Sequence, residues 1–375
     1  MNDITAIVLA AGYSFRMGEF KPLLRLGDMS LLERNIRLFQ SAGIRDIRVV
    51  AGYRAAEIQA VLDPMGILCI VNRTYDQGMY SSVLAGISTL TSDQKAFFVL
   101  PADIPLVRPH TLKSLLTAYR ESQKPHPIFY PNFQGMRGHP PLIDSSCAAK
   151  MKQWDQPGGL RAFLENYESN AADVSVTDEG ILQDLDTPED YQRMLERYPD
   201  LDIPTVRECD ALMERYQVPE HTARHCQAVA RVAVCMGKAL IQAGCRMNLH
   251  LITAAALLHD MAKGQRRHAA AGEQILHEMG FPAVAEIVGA HVDLPIRDSD
   301  PVTEKEVVHL ADKLVKGDRR VSVETRFLAK RIRYENDPQA KAGVEKRFAN
   351  AMKMKMRVES ETGKSLEIML EECLH

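Results

Sequence analysis

The chain has 375 residues, of which 46% are hydrophobic and 25% are charged, and its formal net charge is -3. This length allows two or three domains, and the composition is typical of a soluble globular protein. The charge gives no reason to expect a nucleic-acid or membrane partner, and no apolar run approaches the ~18 residues of a membrane-spanning helix. We see no signal peptide, and the seven cysteines form no CxxC pair. We therefore expect reduced thiols and a cytoplasmic location.

Strand-like and helix-like runs alternate over the first half of the chain. This alternation predicts an α/β, Rossmann-like, mostly parallel sheet with helices on both faces. Ligands of such sheets bind at the carboxyl ends of the strands. The predicted strands are residues 4–9, 47–51, 67–71 and 97–100. The first predicted helix starts near Ser30, which forms a capping box with Glu33, and two further helices are predicted at residues 55–62 and 82–90.

The first predicted strand leads into a glycine-bearing loop at residues 9–22, LAAGYSFRMGEFKP. Gly12 and Gly18 allow the backbone to turn and to approach a ligand closely, because glycine has no Cβ. Arg16 and Lys21 are cations that can neutralise a triphosphate and its leaving pyrophosphate. The loop matches neither GxxxxGK[ST] nor GxGxxG, so it predicts a nucleotide-phosphate loop of another kind.

The loop pattern LAAGxSxRMGxxKP resembles that of the MobA-like nucleotidyltransferases, in particular their molybdenum cofactor cytidylyltransferase branch. Three later segments resemble the same family, namely GMYSS at 78–82, RGHP at 137–140 and DLDTPED at 184–190. Tyr80 departs from the family pattern, which has a small residue there. The nucleotide-binding residues that the resemblance implies are Leu9, Ala10, Ala11, Gly12, Gly78, Ser81, Ser82 and His139.

The resemblance also implies the reaction. A nucleotide, CMP from CTP for the LAAG form of the loop, is transferred to molybdopterin and pyrophosphate is released. Another NTP and another phosphate acceptor, such as a sugar or alcohol phosphate, stay open as alternatives, and a molybdoenzyme is a further implied partner. Ser81 and Ser82 could cap the following helix instead of binding nucleotide, and His139 could either orient a substrate or pack in the core.

Two aspartates are the predicted Mg²⁺ ligands of this half. Asp103 follows the strand at 97–100, and Asp186 ends a second strand-like segment, with Asp184 as a possible substitute. Mg²⁺ is commonly bound through one or two carboxylates together with phosphate oxygens and water. Phosphoryl transfer depends on positioning and charge neutralisation, so Arg16, Lys21 and Asp103 are the predicted catalytic residues of this half.

The composition changes after the proline-flanked segment 199–204, which we predict to be a linker between domains at 1–198 and 205–375. Beyond it the pattern is helical, and eight of the twelve histidines lie between residues 221 and 309. A histidine, a His-Asp pair and an aspartate lie on separate predicted helices. Imidazole and carboxylate ligands together suit a transition metal such as Mn, Fe or Zn.

This arrangement resembles the HD superfamily of metal-dependent phosphohydrolases over about residues 205–330. The resemblance implies an all-α domain that holds one or two divalent ions and hydrolyses a phosphoester, with Lys263 as the catalytic residue that contacts substrate phosphate. The alternative is a metal-bearing sensor or docking module. The charged helical tail has no assigned role. The implied metal ligands are His225, His259, Asp260, His268, His291 and Asp312.

Overall fold

The structure, a computed structural model, describes residues 3–123, 126–294 and 301–374. The chain folds into two compact units, Met1–Pro199 and Asp200–His375. Among the described residues, no helix has both the length and the apolar character needed to cross a membrane.

The first unit is built on a mixed sheet. Its strands are β1 (Ile4–Ala10), β2 (Arg25–Leu26), β3 (Met29–Ser30), β4 (Asp46–Ala51), β5 (Leu68–Val71), β6 (Ala96–Pro101), β7 (Ile128–Phe133), β8 (Met136–Arg137), β9 (Leu142–Asp144) and β10 (Ala172–Ser175). Within the described residues, eight strands form one sheet in the order β10-β7-β9-β6-β1-β4-β5, with β8 on β7, and β2 and β3 form a separate hairpin. Most pairings are parallel; β9 is antiparallel to both neighbours, and β8 is antiparallel to β7. The predicted α/β, mostly parallel fold is confirmed.

The order of the strands determines where a ligand can bind. The chain passes from β1 to β4 and β5 on one side, then returns to β6 on the other side of β1. Such a reversal opens a crevice at the carboxyl ends of the two strands on either side of it. Here these are β1, which leads into the glycine-bearing loop, and β6, which leads to Asp103. All seven residues of β1 are buried, as expected for a central parallel strand.

The helices of the first unit are α1 (Leu31–Ser41), α2 (Ala55–Leu62), α3 (Met79–Ile87), α4 (Pro109–Glu121), α5 (Ser146–Lys152), α6 (Gly159–Glu165) and α7 (Pro188–Arg197). The predicted capping box is present at α1, where the side chains of Ser30 and Glu33 each accept a hydrogen bond from the other's backbone amide. Helix α3 begins three residues before the predicted Ser82. The reason is that Gly78, with φ of 96°, takes the N-cap position.

The second unit is helical, and the predicted all-α class is confirmed apart from one short hairpin. Its helices pack around one core to which α8, α9, α10, α12, α13, α15 and α16 all contribute. Its elements are α8 (Val206–Arg215), α9 (Glu220–Gln242), α10 (Leu249–Leu258), α11 (His268–Glu278), α12 (Pro282–Ala290), α13 (Glu304–Lys313), the hairpin β11 (Val315–Lys316) and β12 (Arg319–Arg320), α14 (Val323–Arg333), α15 (Pro338–Thr362) and α16 (Leu366–Leu374).

The expectation that the thiols are reduced is wrong for one pair of cysteines. Cys235 on α9 and Cys373 on α16 form a disulfide. They are 138 positions apart in the chain, but α16 packs against α9 and brings their Cα atoms to 5.8 Å. Spacing along the sequence could not reveal this pair. The remaining cysteines in the described residues are free thiols.

Candidate functional site

An open cleft of about 620 Å³ lies at the carboxyl ends of β1 and β6. The glycine-bearing loop forms one wall. There Gly18 has φ of 68°, a conformation that favours glycine, and a Cβ at Gly12 would meet nothing within 4 Å. The side chain of Arg16 lies outside the described part of the structure. The predicted site residues among those that line the cleft are Leu9, Ala10, Ala11, Gly12, Lys21, Gly78, Ser82, Asp103, His139 and Asp186.

The Lys21 ammonium joins the two predicted metal ligands at the end of this cleft. Its Nζ lies 2.8 Å from Asp186 Oδ1 and 3.3 Å from Asp103 Oδ2, and the lysine side chain is only 11% exposed. Burial raises the pKa of Asp103, although the charge of Lys21 acts in the opposite direction. Mg²⁺ is commonly bound through one or two carboxylates together with phosphate oxygens and water, so two carboxylates that converge on one cation fit that ion.

The setting of Asp186 differs from the prediction. It does not end a strand, because the preceding segment Glu179–Leu182 forms a 3₁₀ turn instead. Asp186 precedes Thr187, the N-cap of α7, and its backbone amide donates to the Asp190 carboxylate at 3.1 Å. A helix N-terminus therefore fixes this aspartate. Asp184 also lines the cleft.

His139 reaches the cleft through a close backbone contact. Its amide donates to the Ile181 carbonyl at 2.9 Å, and an added Cβ on Gly138 would lie 2.4 Å from that same oxygen. Only glycine therefore fits beside Ile181. Burial lowers the pKa of His139, while Asp103 and Asp184 act in the opposite direction. Its side chain borders the cleft near both carboxylates, which suits a role in orienting a substrate.

The serines of the GMYSS segment do not cap a helix. Both lie inside α3, and Asn72 donates to both hydroxyls, at 2.8 Å to Ser81 and 3.0 Å to Ser82. Ser82 lines the cleft, whereas the hydroxyl of Ser81 donates to backbone carbonyls. Tyr80 does not line the cleft, and its hydroxyl donates to the Met151 carbonyl at 2.7 Å. The residue that departs from the family pattern is therefore not part of the cleft wall. Asn72 had not been predicted.

Aromatic rings that the sequence motifs did not indicate form the outer edge of the cleft. Tyr13 and Phe15 stack with ring centroids 4.7 Å apart, and Tyr13 also contacts Tyr75 at 5.2 Å. Phe15 is 82% exposed, although it is a large apolar side chain. All three rings line the cleft. They offer planar apolar surface beside the phosphate loop.

A second cluster in the HD-like half brings together the residues of five elements. Asp260 lies at its centre. Its Oδ2 lies 3.7 Å from His259 Nε2 and 4.0 Å from His225 Nε2, and its Oδ1 lies 3.4 Å from His268 Nε2 and 3.6 Å from His291 Nε2. Each oxygen of one carboxylate thus faces its own pair of imidazoles. These ligands could hold one or two divalent cations.

The imidazoles are oriented towards this cluster by backbone carbonyls. Nδ1 lies 2.7 Å from the Gly317 carbonyl in His225, 2.8 Å from the Ala256 carbonyl in His259 and 2.6 Å from the Val288 carbonyl in His291. A carbonyl only accepts, so Nδ1 carries the proton and Nε2 is left as a metal-ligating atom. His259 Nε2 is buried without a hydrogen-bond partner, and burial lowers the pKa of this ring to about 4. The residues therefore fit a divalent transition metal.

Asp312 completes the cluster from the last turn of α13. Its Oδ1 lies 3.1 Å from His225 Nε2 and 3.8 Å from His259 Nε2. Burial raises the pKa of this carboxyl, but Lys313 and His225 more than offset that effect and hold it well below its usual value. It is therefore ionised and available as a ligand. The structure thus brings all six predicted ligands together.

Cationic side chains surround the same carboxylates. Lys263 Nζ lies 2.6 Å from Asp260 Oδ2, so this lysine lies next to the metal ligands. Lys313 and Arg326 were not predicted; Lys313 Nζ lies 2.7 Å and an Arg326 guanidinium nitrogen 3.7 Å from the Asp312 carboxylate. Lys313 could have been found, because it follows Asp312 directly. Arg326 had no such signal, since α14 carries no part of the HD pattern.

Comparisons with known proteins agree with the family resemblance predicted for each half of the chain. Residues 6–172 match the MobA-like NTP transferase domain, and residues 222–317 match the HD domain. The chain is 26% identical over 205 residues to the molybdenum cofactor cytidylyltransferase of Escherichia coli, which covers 54% of this chain and 100% of that protein. It is 28% identical over 203 residues to the nicotine blue oxidoreductase of Paenarthrobacter nicotinovorans, over 51% of this chain and 96% of that one.

A solved structure, a nucleotidyl transferase from Methanothermobacter thermautotroptrophicus, is 22% identical and has a TM-score of 0.47. The match covers 53% of this chain and 99% of that one. Taken together, the family matches and the cleft identify the first unit as a nucleotidyltransferase. The chain consists of a MobA-like NTP transferase domain followed by an HD domain. Relatives named for different activities match the first half of the chain, so the family alone does not fix the acceptor.

Proposed function

We propose that the first unit transfers CMP from CTP to molybdopterin and releases pyrophosphate. The observation that carries this proposal is the convergence of Lys21, Asp103 and Asp186 at the end of a cleft whose wall is the Ala10–Gly12 loop. The choice of CTP and molybdopterin is supported by the LAAG form of the loop and by the similarity to the molybdenum cofactor cytidylyltransferase of Escherichia coli.

In the proposed reaction, a phosphate oxygen of molybdopterin attacks the α-phosphorus of CTP. A bond forms from that oxygen to the α-phosphorus, the bond from the α-phosphorus to the α,β-bridging oxygen breaks, and the electron pair leaves on pyrophosphate. Asp103 and Asp186 hold the Mg²⁺, which supplies charge neutralisation at the phosphates when bound. Lys21 stabilises the developing charge on the transferring and leaving oxygens. His139 and the backbone of the loop orient the substrates.

We propose that the HD domain is a metal-dependent phosphohydrolase. Support comes from the four imidazoles and two carboxylates of its cluster and from Lys263, which stands beside Asp260 and can contact a substrate phosphate. A metal bound there supplies an activated water at neutral pH. The second candidate function for the HD domain is a sensor or docking module that binds metal without turnover. It would use the same metal ligands.

We further propose that the protein acts in the cytoplasm, where CTP is available, and that a molybdoenzyme receives the product. The Cys235–Cys373 disulfide is unusual for that compartment, because reducing systems keep most cytosolic thiols reduced.

Separate inactivation of the two sites tests the proposal. Asp103→Ala should abolish nucleotide transfer and leave phosphoester hydrolysis unchanged, whereas Asp260→Ala should do the reverse. Both activities are measured on the full chain, with molybdopterin and CTP for transfer and a panel of phosphomonoesters and phosphodiesters for hydrolysis. If either variant lost both activities while folded, the two-site account would be wrong. Full metal loading without turnover on the panel would favour the sensor.

A further inference from the structure

The electrostatic balance of the HD cluster is unusual for a metal site. Lys263 contacts Asp260, and both Lys313 and Arg326 contact Asp312. Among the described residues, these two carboxylates are faced by three cationic side chains at close range. The cluster is therefore net positive even before a divalent ion adds its own two charges. A positive, mostly buried site of this kind needs an anionic occupant with several charges.

Helix α14, which lies outside the region that matches the HD domain, carries a further cation. Lys330 lies one turn after Arg326 on α14, so the two residues share one face of this helix. Its only partner among the described residues is the ring of Phe327, with Nζ 5.9 Å from the centroid. Lys330 therefore forms no ion pair with a carboxylate of the described residues, although the charge of Asp312 acts to raise its pKa.

Arg326 is also incompletely satisfied. One guanidinium nitrogen faces Asp312 at 3.7 Å, and Nε is buried with no hydrogen-bond partner. A buried unpartnered guanidinium N–H is costly unless an acceptor reaches it. A bound metal would share in the neutralisation of Asp260 and Asp312, so Lys263 and Arg326 would become available to an incoming anion. Planar guanidinium groups bind phosphate oxygens in pairs, which suits a phosphate chain.

We propose that Arg326 and Lys330 bind the phosphate chain of a phosphoanhydride substrate, so that the HD domain prefers di- and triphosphates over a single phosphate group. This inference rests on the proposed phosphohydrolase function and specifies its substrate class. The phosphate chain could belong to inorganic pyrophosphate, the product of the transferase half, or to a nucleoside triphosphate. Both present the same chemistry to α14.

Calorimetric binding to the full-length protein tests this inference. The protein is loaded with Mn²⁺, excess metal is removed, and all variants carry Asp103→Ala, which removes one of the two carboxylates that would hold metal and its bound polyphosphate at the transferase cleft. Orthophosphate, pyrophosphate, tripolyphosphate and ATP are titrated separately. We expect affinity to rise with the number of phosphates, and Arg326→Gln and Lys330→Gln each to weaken tripolyphosphate binding by about tenfold.

Arg333→Gln is the matched control, because Arg333 lies on the same helix and rests against the ring of Tyr334. It should leave the affinity for tripolyphosphate unchanged. Equal affinity for orthophosphate and tripolyphosphate, or equal losses in all three variants, would overturn the inference. Tighter binding of ATP than of tripolyphosphate would show that the bound phosphate chain belongs to a nucleotide. Equal binding of the two would show that it belongs to an inorganic anion.

Hydrolysis assays separate this inference from the proposed function. Turnover of a monoester without any preference for longer phosphate chains would leave the phosphohydrolase standing and overturn the inference. Selective binding of tripolyphosphate without turnover of any substrate would support the inference and remove the hydrolase from the proposed function. Thermal unfolding of each variant shows whether it is folded before binding is compared.

Discussion

Replacing Lys21 with alanine should have opposite effects on catalysis and on metal binding. The ammonium lies 3.3 Å from Asp103 and 2.8 Å from Asp186, so these two carboxylate oxygens are at most about 6 Å apart. At an effective dielectric constant of about 20, two unit negative charges at that distance repel by about 3 kcal/mol. The two side chains are 29% and 41% exposed, and solvent reduces the effect to about 1–2 kcal/mol.

The variant therefore keeps two carboxylates that no internal cation holds together. A divalent ion no longer competes with the ammonium, and its affinity should rise by about tenfold, equivalent to about 1.4 kcal/mol. Transfer should nevertheless fall by about 10²–10³-fold, because a preorganised cation at the phosphates is lost.

Mn²⁺ titration at the transferase site, followed by electron paramagnetic resonance, measures the first effect, and a coupled pyrophosphate assay measures the second. The titration is done in an Asp260→Ala background so that the HD cluster does not contribute. Arg25→Ala is the control, since Arg25 is a nearby exposed cation that pairs with Glu33 outside the cleft. Unchanged transfer in Lys21→Ala, or weaker Mn²⁺ binding, would refute the reasoning.

Three other changes give distinct outcomes. Gly138→Ala should lower the free energy of unfolding by about 1–3 kcal/mol, because its Cβ would lie 2.4 Å from a backbone oxygen of Ile181; denaturant unfolding measures this, and an unchanged midpoint would contradict the packing described. Asp260→Asn should reduce the metal content of the HD domain more than His268→Gln does, because the two oxygens of Asp260 face four imidazoles between them, whereas His268 offers one ligand atom. Equal losses of metal, measured by plasma mass spectrometry, would contradict this. Cys373→Ser should destabilise the second unit by about 2–4 kcal/mol, and a free thiol at this position in a non-reducing peptide map would show that the disulfide is absent in solution.

The parts of the fold that the sequence predicted are those with local physical signals. The apolar run that becomes β1 and the Ser30–Glu33 capping box depend on neighbours within a few residues, so pattern alone identified them. The helix after Gly78 was shifted because a glycine, not a serine, occupies its N-cap. The segment before Asp186 has no strand because a 3₁₀ turn precedes it. The first error concerns a boundary and the second the type of a short segment, and side-chain pattern defines both poorly.

Features that depend on distant parts of the chain could not be predicted. The disulfide joins helices 138 positions apart, and the pairing requires the packing of α16 on α9. Arg326 reaches Asp312 only because α14 packs beside the HD cluster. The aromatic edge formed by Tyr13 and Tyr75 likewise requires two loops to meet. Motifs located the reacting groups, and tertiary packing supplied the groups that surround them.

Pyrophosphate release by the purified full-length protein tests the central claim most directly. The assay contains Mg²⁺ and molybdopterin and compares CTP with GTP, ATP and UTP. The Asp260→Ala variant is used so that HD-domain hydrolysis cannot consume the product. We expect release with CTP that depends on molybdopterin and is lost in Lys21→Ala. Absence of release with all four nucleotides in the presence of molybdopterin would contradict the proposed acceptor, and sugar and alcohol phosphates would then be the acceptors to test.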